Sequence, residues 1–302
     1  MKIAFIGIGT MGYPMAGHLT CGHGHDVRVY NRTRAKAESW ASRYAGSVAA
    51  TAAEAAAGAE AVLVCVPTDE DTRTVALGED GVFAAMSPGA VFVDHGSGAV
   101  TTALSLSEEA HRLGLCYLDA PVTGGRIGAE RAKLAVMVGG DHAVLARVEG
   151  MMRAYAQDVQ LMGAIGAGHV TKMVNAIIGH GNGVAMAEAI GFAINQGLDP
   201  ARVIAVLMKG SSYSWQLEHR SGSMIDRHFE TLYSVGFARK DLGNVLAEAR
   251  RSGSLVPMTS LADQLYAALE QRGGGSLDTA SLIELFAPAT KGEDGSLPDA
   301  PG

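Results

Sequence analysis

Lys172 and Asn175 stand three residues apart, a spacing that puts both side chains on one face of a helix. A lysine can exchange a proton with an oxygen atom when burial or neighbouring cations lower its ammonium from the ordinary value of about 10.4. Taken alone, Lys172 is equally a solvated lysine. Thr123-Gly124-Gly125 follows an apolar run, and two glycines there can turn successive N–H groups inward as a nest for an anion, or can form a simple turn. Gly7, Gly9 and Gly12 form a G-x-G-x-x-G spacing with Thr10 and Met11 inside it. An apolar stretch at residues 3–6 precedes them and a helix-compatible run continues to Leu19. Strand, glycine turn and helix in that order make a phosphate-binding turn for a dinucleotide, the anion lying on free N–H groups at the helix start.

The elements that must hold these residues are read in chain order. A second strand at residues 26–30 ends in Asn31-Arg32-Thr33. An acidic residue at that place would bond a ribose 2′-hydroxyl, whereas Arg32 can pair with a 2′-phosphate, with Arg34 nearby to add to it. The reading favours NADP(H) over NAD(H), the alternative being that Arg32 is a solvated loop cation. Further strands are predicted at residues 61–66 (ending in Val66 and stopped by Pro67), 90–94, 115–118 and 134–138, with helices at 52–59, 72–77 and 101–113. Alternating strands and helices imply a doubly wound parallel α/β sheet of Rossmann type, with ligands at the carboxyl ends of its strands. Beyond Gly166 the chain reads as helix throughout: 169–196 as one long helix, then 200–208, 223–226, 240–251, 258–270 and 281–286. The expected organisation is a dinucleotide-binding domain at 1–164, an all-helical substrate and oligomerisation domain at 165–287 reached through the long helix, and a disordered tail at 288–302.

Composition narrows the class. A chain of 302 residues can bury two cores. A net charge of −7 without a basic run argues against a nucleic-acid surface. Cys21, Cys65 and Cys116 form neither a disulfide frame nor a metal spacing, which points to a reducing compartment and no metal. A strand begins almost at once, leaving no room for a signal peptide, and no window of about 20 residues is read as apolar enough to span a bilayer. The expectation is a soluble cytoplasmic protein. Val174, Ile177, Ile178, Val184 and Ile190 make the long helix apolar on more than one face, so it should be buried all round, which favours a homodimer or homotetramer.

Four motifs in order make nearly the whole chain resemble the β-hydroxyacid dehydrogenase family: GIGTMGYPMAGHL from Gly7, DAPVTGG from Asp119, GAGHVTKMVN from Gly166 and KDL from Lys240. That family includes 3-hydroxyisobutyrate dehydrogenases and semialdehyde reductases. The resemblance implies NAD(P)-dependent hydride transfer on a small carboxylated substrate. Lys172 would be its general acid or base and Asn175 would hold the substrate oxygen. Thr123, Gly124 and Gly125 would bind the carboxylate, with Thr123 where Ser is usual. Lys240 would reach the nicotinamide and substrate, or else form an exposed ion pair with Asp241, and it should open its helix. Ser97 would lie near the nicotinamide ribose in an altered loop, Asp94-His95-Gly96-Ser97, where His95 is not expected to be catalytic. His169 is read as a helix-start residue. Ala132-Lys133 replaces a common Gly-Thr. Tyr213, Trp215 and Arg220 either contact a second substrate group or pack against the long helix. Imine reduction on the same architecture, argued against by Lys172, and a non-catalytic NADP-binding protein are the alternatives.

Overall fold

The computed structural model describes residues 1–21, 24–230 and 232–287, so the tail expected from 288 lies outside the described residues. Two units divide the chain, Met1–Lys172 and Met173–Gly302. The first is built on nine strands: β1 Lys2–Ile6, β2 Asp26–Tyr30, β3 Ser47–Val48, β4 Ala61–Val64, β5 Val91–Asp94, β6 Cys116–Asp119, β7 Val122–Thr123, β8 Leu134–Gly139 and β9 Ala156–Gly163. Its helices are α1 Gly12–Thr20, α2 Arg34–Arg43, α3 Ala52–Ala56, α4 Asp69–Leu77, α5 Val82–Ala85, α6 Val100–Arg112, α7 Gly125–Glu130 and α8 His142–Met152.

The strand order is β3-β2-β1-β4-β5-β6-β8-β7, with β9 beside β8. The run β3 to β6 is parallel throughout. Winding reverses between β1 and β4, the kind of switch point at whose carboxyl ends open α/β sheets bind their ligands. Successive residues of β1 feed opposite cores: Ile3 and Phe5 on one face, Ala4 and Ile6 on the other. A strand covered on both faces reads as an unbroken apolar run, which is why these strands were legible. The sheet is not parallel to its end. β8 runs antiparallel to β6 and β7, because β7 and the six-residue α7 return the chain on itself, without the longer crossover that a parallel partner needs. Among the elements missed by pattern, α2 and β9 are polar. α2 buries only Ala37 and Trp40, and β9 exposes Gln157, Gln160 and Leu161 along its length.

The long helix α9, Ala167–Asn195, begins in the first unit and continues into the second. It is followed by α10 Pro200–Leu207, α11 Trp215–Ile225, α12 Val235–Ser252, α13 Pro257–Gln271 and α14 Ile283–Phe286. Val184, Ala187 and Ile190 of α9 join Leu217, Leu242 and Tyr266 in the second unit's core. The buried Asp278 carboxylate ties this unit together. It accepts N–H bonds from Leu232 (3.0 Å), Tyr233 (2.9 Å) and Ala280 (2.9 Å) and pairs with Arg220.

Several expectations need correction. α11 is far longer than 223–226, because Ser214 caps it at Leu217 N–H (3.1 Å). α12 starts at Val235 with Ser234 as its cap, so Lys240 lies inside the helix and does not open it. α9 is not buried all round in a single chain: Val174 and Ile178 are 49% and 59% exposed. It is also, against the reading of residue windows, long and apolar enough by those two measures to cross a membrane, with a window of mean hydropathy 1.2.

Ala132, in the turn before β8, has φ of 54°. That left-handed conformation costs a β-carbon about 1–2 kcal/mol and costs glycine nothing in contacts. The glycine that the resemblance expects at this place would therefore have a conformational reason. Ala132→Gly should raise unfolding free energy by about 1 kcal/mol in urea titration; an unchanged or lower midpoint would show that the strain is relieved elsewhere.

Candidate active site

The glycine turn after β1 is shaped by three separate constraints. Gly7 has φ of 99°, donates its N–H to Tyr30 O (2.9 Å), and lies so close to β4 that a Cβ would strike the Cys65 carbonyl oxygen. A Cβ on Gly12 would strike the Gly7 carbonyl oxygen. Gly9 instead faces open space, with no atom within 4 Å of where its Cβ would be. The first helical bonds here are Tyr13 N–H to Gly9 O (2.9 Å) and Met15 N–H to Met11 O (3.3 Å). Thr10, Met11 and Gly12 thus present their N–H groups at the start of α1, at the positive end of its dipole. An open glycine beside such a helix start is a cradle that fits the pyrophosphate of a dinucleotide.

Asn31 works on this turn rather than at a distance from it. Its Oδ1 accepts the Ile8 N–H (2.9 Å) and its Nδ2 donates to Thr33 O (2.9 Å), tying the end of β2 to the glycine turn. Arg32 projects from the same end, largely exposed, with Nη1 2.8 Å from Asp71 Oδ1. Thr33 precedes α2, Val66 and Pro67 follow β4, and Ser97 follows β5. All therefore occupy the carboxyl side of the parallel strands.

The other end of that row holds two buried carboxylates. Asp94 and Asp119 are register partners at the last positions of β5 and β6. Asp119 Oδ1 accepts the Gly166 N–H (2.7 Å) and Oδ2 the His169 N–H (3.0 Å), so it caps the first turn of α9. Space for it comes from glycines: a Cβ on Gly139 or Gly168 would collide with Asp119. Asp94 accepts the Gly96 N–H (2.8 Å) and the Tyr117 hydroxyl (3.2 Å). Burial pushes both carboxyls above the usual carboxylate range, and the neighbouring His169 opposes that rise.

Lys172 lies one turn into α9, and its Nζ donates to the Val122 carbonyl (2.9 Å). Thr123, Gly124 and Gly125 come directly after that carbonyl. Gly124 and Gly125 have φ of 119° and 61°, two successive left-handed residues that a β-carbon would strain. Lys172 and this turn are thus joined within one unit. Asn175, exposed on the next turn of α9, and Lys240 belong to the second unit. Lys240 Nζ is 3.0 Å from Asp241 Oδ1, and Asp241 also takes the Tyr233 hydroxyl. Arg220 is committed to Asp278 within its own unit, while Tyr213 and Trp215 are half-exposed.

His95 has a structural assignment. Its Nδ1–H donates to Ala120 O (2.6 Å), which fixes the tautomer, and Nε2 then accepts the Tyr155 hydroxyl (2.9 Å). Burial lowers the imidazole to about 4, so it stays neutral. Sequence reasoning quoted Asp94 and Asp119 inside motifs without giving either a role. The available signal was a carboxylate closing each of two apolar strands, VFVD and CYLD.

Comparison with known proteins agrees with this geometry. Residues 2–166 match the model of the NAD-binding domain of 6-phosphogluconate dehydrogenase, and residues 166–286 match that of the NAD-binding domain of NADP-dependent 3-hydroxyisobutyrate dehydrogenase. An uncharacterized oxidoreductase of Shewanella frigidimarina is 44% identical over 93% of this chain and 97% of its own. The 2-hydroxy-3-oxopropionate reductase of Escherichia coli is 34% identical over 94% and 96%. The solved 3-hydroxyisobutyrate dehydrogenase of Mycobacterium tuberculosis with L-serine superposes with a TM-score of 0.85 at 31% identity, covering 94% of this chain and 98% of that one. An imine reductase from a Pseudomonas species shares the fold alone, at 17% identity over 94% and 98% and a TM-score of 0.61. Fold and site define a nicotinamide-dependent oxidoreductase. The chain belongs to the β-hydroxyacid dehydrogenase family, whose members act on the CH–OH group of small hydroxyacids.

Proposed function

We propose that this protein transfers a hydride between NADP(H) and a small carboxylated aldehyde or keto acid, or the matching hydroxyacid, with Lys172 as general acid and base. Substrates of 3-hydroxyisobutyrate, glyoxylate or semialdehyde type fit this reading. The observation that carries it is the Lys172 ammonium fastened to the carbonyl directly before the Thr123–Gly125 turn. A proton donor and a seat for a carboxylate are thereby set beside one another by one hydrogen bond.

In this reading residues 1–164 form the cofactor-binding domain and residues 165–287 the helical substrate and oligomerisation domain. Gly7, Gly9, Thr10, Met11 and Gly12 hold the pyrophosphate. Asn31 keeps that turn in shape, and Arg32 with Thr33 receives the 2′-phosphate in competition with Asp71. Val66, Pro67 and Ser97 line the path to the nicotinamide, which supplies the hydride when bound. Thr123, Gly124 and Gly125 hold the substrate carboxylate, and the Thr123 methyl narrows that seat relative to serine. Lys172 gives its proton to the substrate oxygen during reduction and takes it back during oxidation, while Asn175 holds that oxygen. Lys240 adds positive charge, and its pairing with Asp241 fixes where that charge lies. Imine reduction on the same architecture is disfavoured by Lys172, because the resemblance gives this lysine to the hydroxyacid dehydrogenases and not to imine reductases.

The exposed Val170, Val174, Ile178 and Phe192 form an apolar stripe along α9. We assign it to a second copy of this chain, as a homodimer or homotetramer.

Lys172→Ala should lower kcat by about 10²–10⁴-fold with the NADPH dissociation constant close to wild type. Turnover at the wild-type rate would remove Lys172 from the mechanism. Arg32→Ala should weaken NADPH binding by roughly 10–100-fold and leave NADH nearly untouched, as loss of a charge-assisted contact requires. A steady-state panel of small carboxylated carbonyls with both reduced cofactors checks this, and a pronounced wild-type preference for NADH would overturn it. Ile178→Glu should shift the protein to monomer in light scattering; a monomeric wild type would end the oligomer assignment.

A further inference from the structure

His169 is the most deeply buried titratable side chain on α9, with no side-chain exposure. Neither of its ring nitrogens has a hydrogen-bond partner among the described residues. Its backbone N–H is held by Asp119 at 3.0 Å, and its Nε2 is 3.9 Å from Asp94 Oδ2. Leaving an imidazole dry and unbonded is costly, since each buried unsatisfied polar group loses its hydration without replacement. Replacing two buried carboxylates' hydration is costlier still, and a nearby opposite charge is what offsets it. The imidazole is a basic side chain placed against this pair.

The charged and titratable groups around it come from every neighbouring element. Asp94 ends β5, Asp119 and Tyr117 lie on β6, and Asp69 starts α4. Gly98 is flanked by both Asp69 Oδ1 and His169 Nε2, so Asp69 also borders the ring. The Tyr117 hydroxyl is spent on Asp94 (3.2 Å), and Asp69 accepts the Ala99 N–H (3.1 Å). On α9 itself the next charged residue is Lys172, one turn further along the same face.

We propose that His169 is a positioning residue for Lys172: it balances the buried Asp94–Asp119 pair and so sets the pH range over which Lys172 exchanges its proton. The proposal rests on the reading of Lys172 as acid and base. The logic is electrostatic. Two carboxylates without a counter-charge hold a nearby ammonium in its charged form to higher pH. Only a protonated imidazole against them would remove part of that pull. It also stands between the 94–99 loop and the first turn of α9, so it fixes the spacing of the cofactor loop and the lysine helix.

The test is the pH profile of kcat/KM in the oxidation direction, where Lys172 must be deprotonated. His169→Gln keeps a buried amide of similar reach and should move the rising limb to higher pH by about one unit, a tenfold loss at fixed pH below it. Asp94→Asn should move the limb the opposite way. The double variant His169→Gln/Asp94→Asn should return it toward wild type. A loss of packing alone gives neither opposite signs nor recovery in the double variant. If His169→Gln does not fold, Asp94→Asn still decides, because an unmoved or upward-shifted limb in it overturns the proposal. Identical profiles in wild type and His169→Gln overturn it as well. Should Lys172→Ala retain turnover, the reading of Lys172 fails first; if that variant is inactive and the profiles do not move, only the role of His169 fails.

Discussion

The Asp119 carboxylate under the first turn of α9 is the contact on which the arrangement of the site depends. A helix start carries N–H groups with no partner inside the helix, and the dipole there favours a negative charge. Asp119 supplies both needs with two bonds, to Gly166 and His169. The end of a central strand is thereby fixed to the start of the helix that carries Lys172. The DAPVTGG segment then grips the same helix a second time, through Val122 O and the lysine ammonium. Two motifs far apart in sequence are one mechanical unit. Gly139 and Gly168 follow from this, because both must leave room for the carboxylate.

α1 starts at the same edge of the sheet with the opposite solution. Among the described residues no side chain caps it, and an open Gly9 lies beside it. One helix start is neutralised internally; the other presents its N–H groups beside open space. What separates them is which side chain closes the preceding strand: Ile6 after β1, Asp119 after β6.

The second unit repeats the internal solution. Asp278 collects three backbone N–H groups and an arginine in a region of short turns. Arg220, which by residue type was a candidate for a substrate anion, is occupied by that duty. His95 is a parallel case. It sits in the cofactor loop with a side chain fit for acid–base work, yet a carbonyl and a tyrosine hydroxyl hold it neutral. For His95 the hydrogen bonds agree with the expectation that it is not catalytic, and Arg220, left open between a substrate contact and packing, pairs with Asp278.

Local pattern sufficed where burial is periodic or a turn has a single chemical solution. The apolar runs of β1, β2, β4, β5 and β6 and the glycine turn at Gly7–Gly12 were legible, as was the succession of α/β then helix, because covered strands and left-handed turns admit few residue types. Tertiary structure decided what depends on partners distant in the chain. It reversed β8, since hairpin return is set by which edge remains open. It extended α11 and α12 back to their serine caps, which sit in stretches without apolar periodicity. It gave Asp94 and Asp119 their roles, because a carboxylate at a strand end has meaning only once the helix start above it is known. It placed His169 between them for the same reason: three residues spread from 94 to 169 become one charge cluster only when β5, β6 and α9 are brought together.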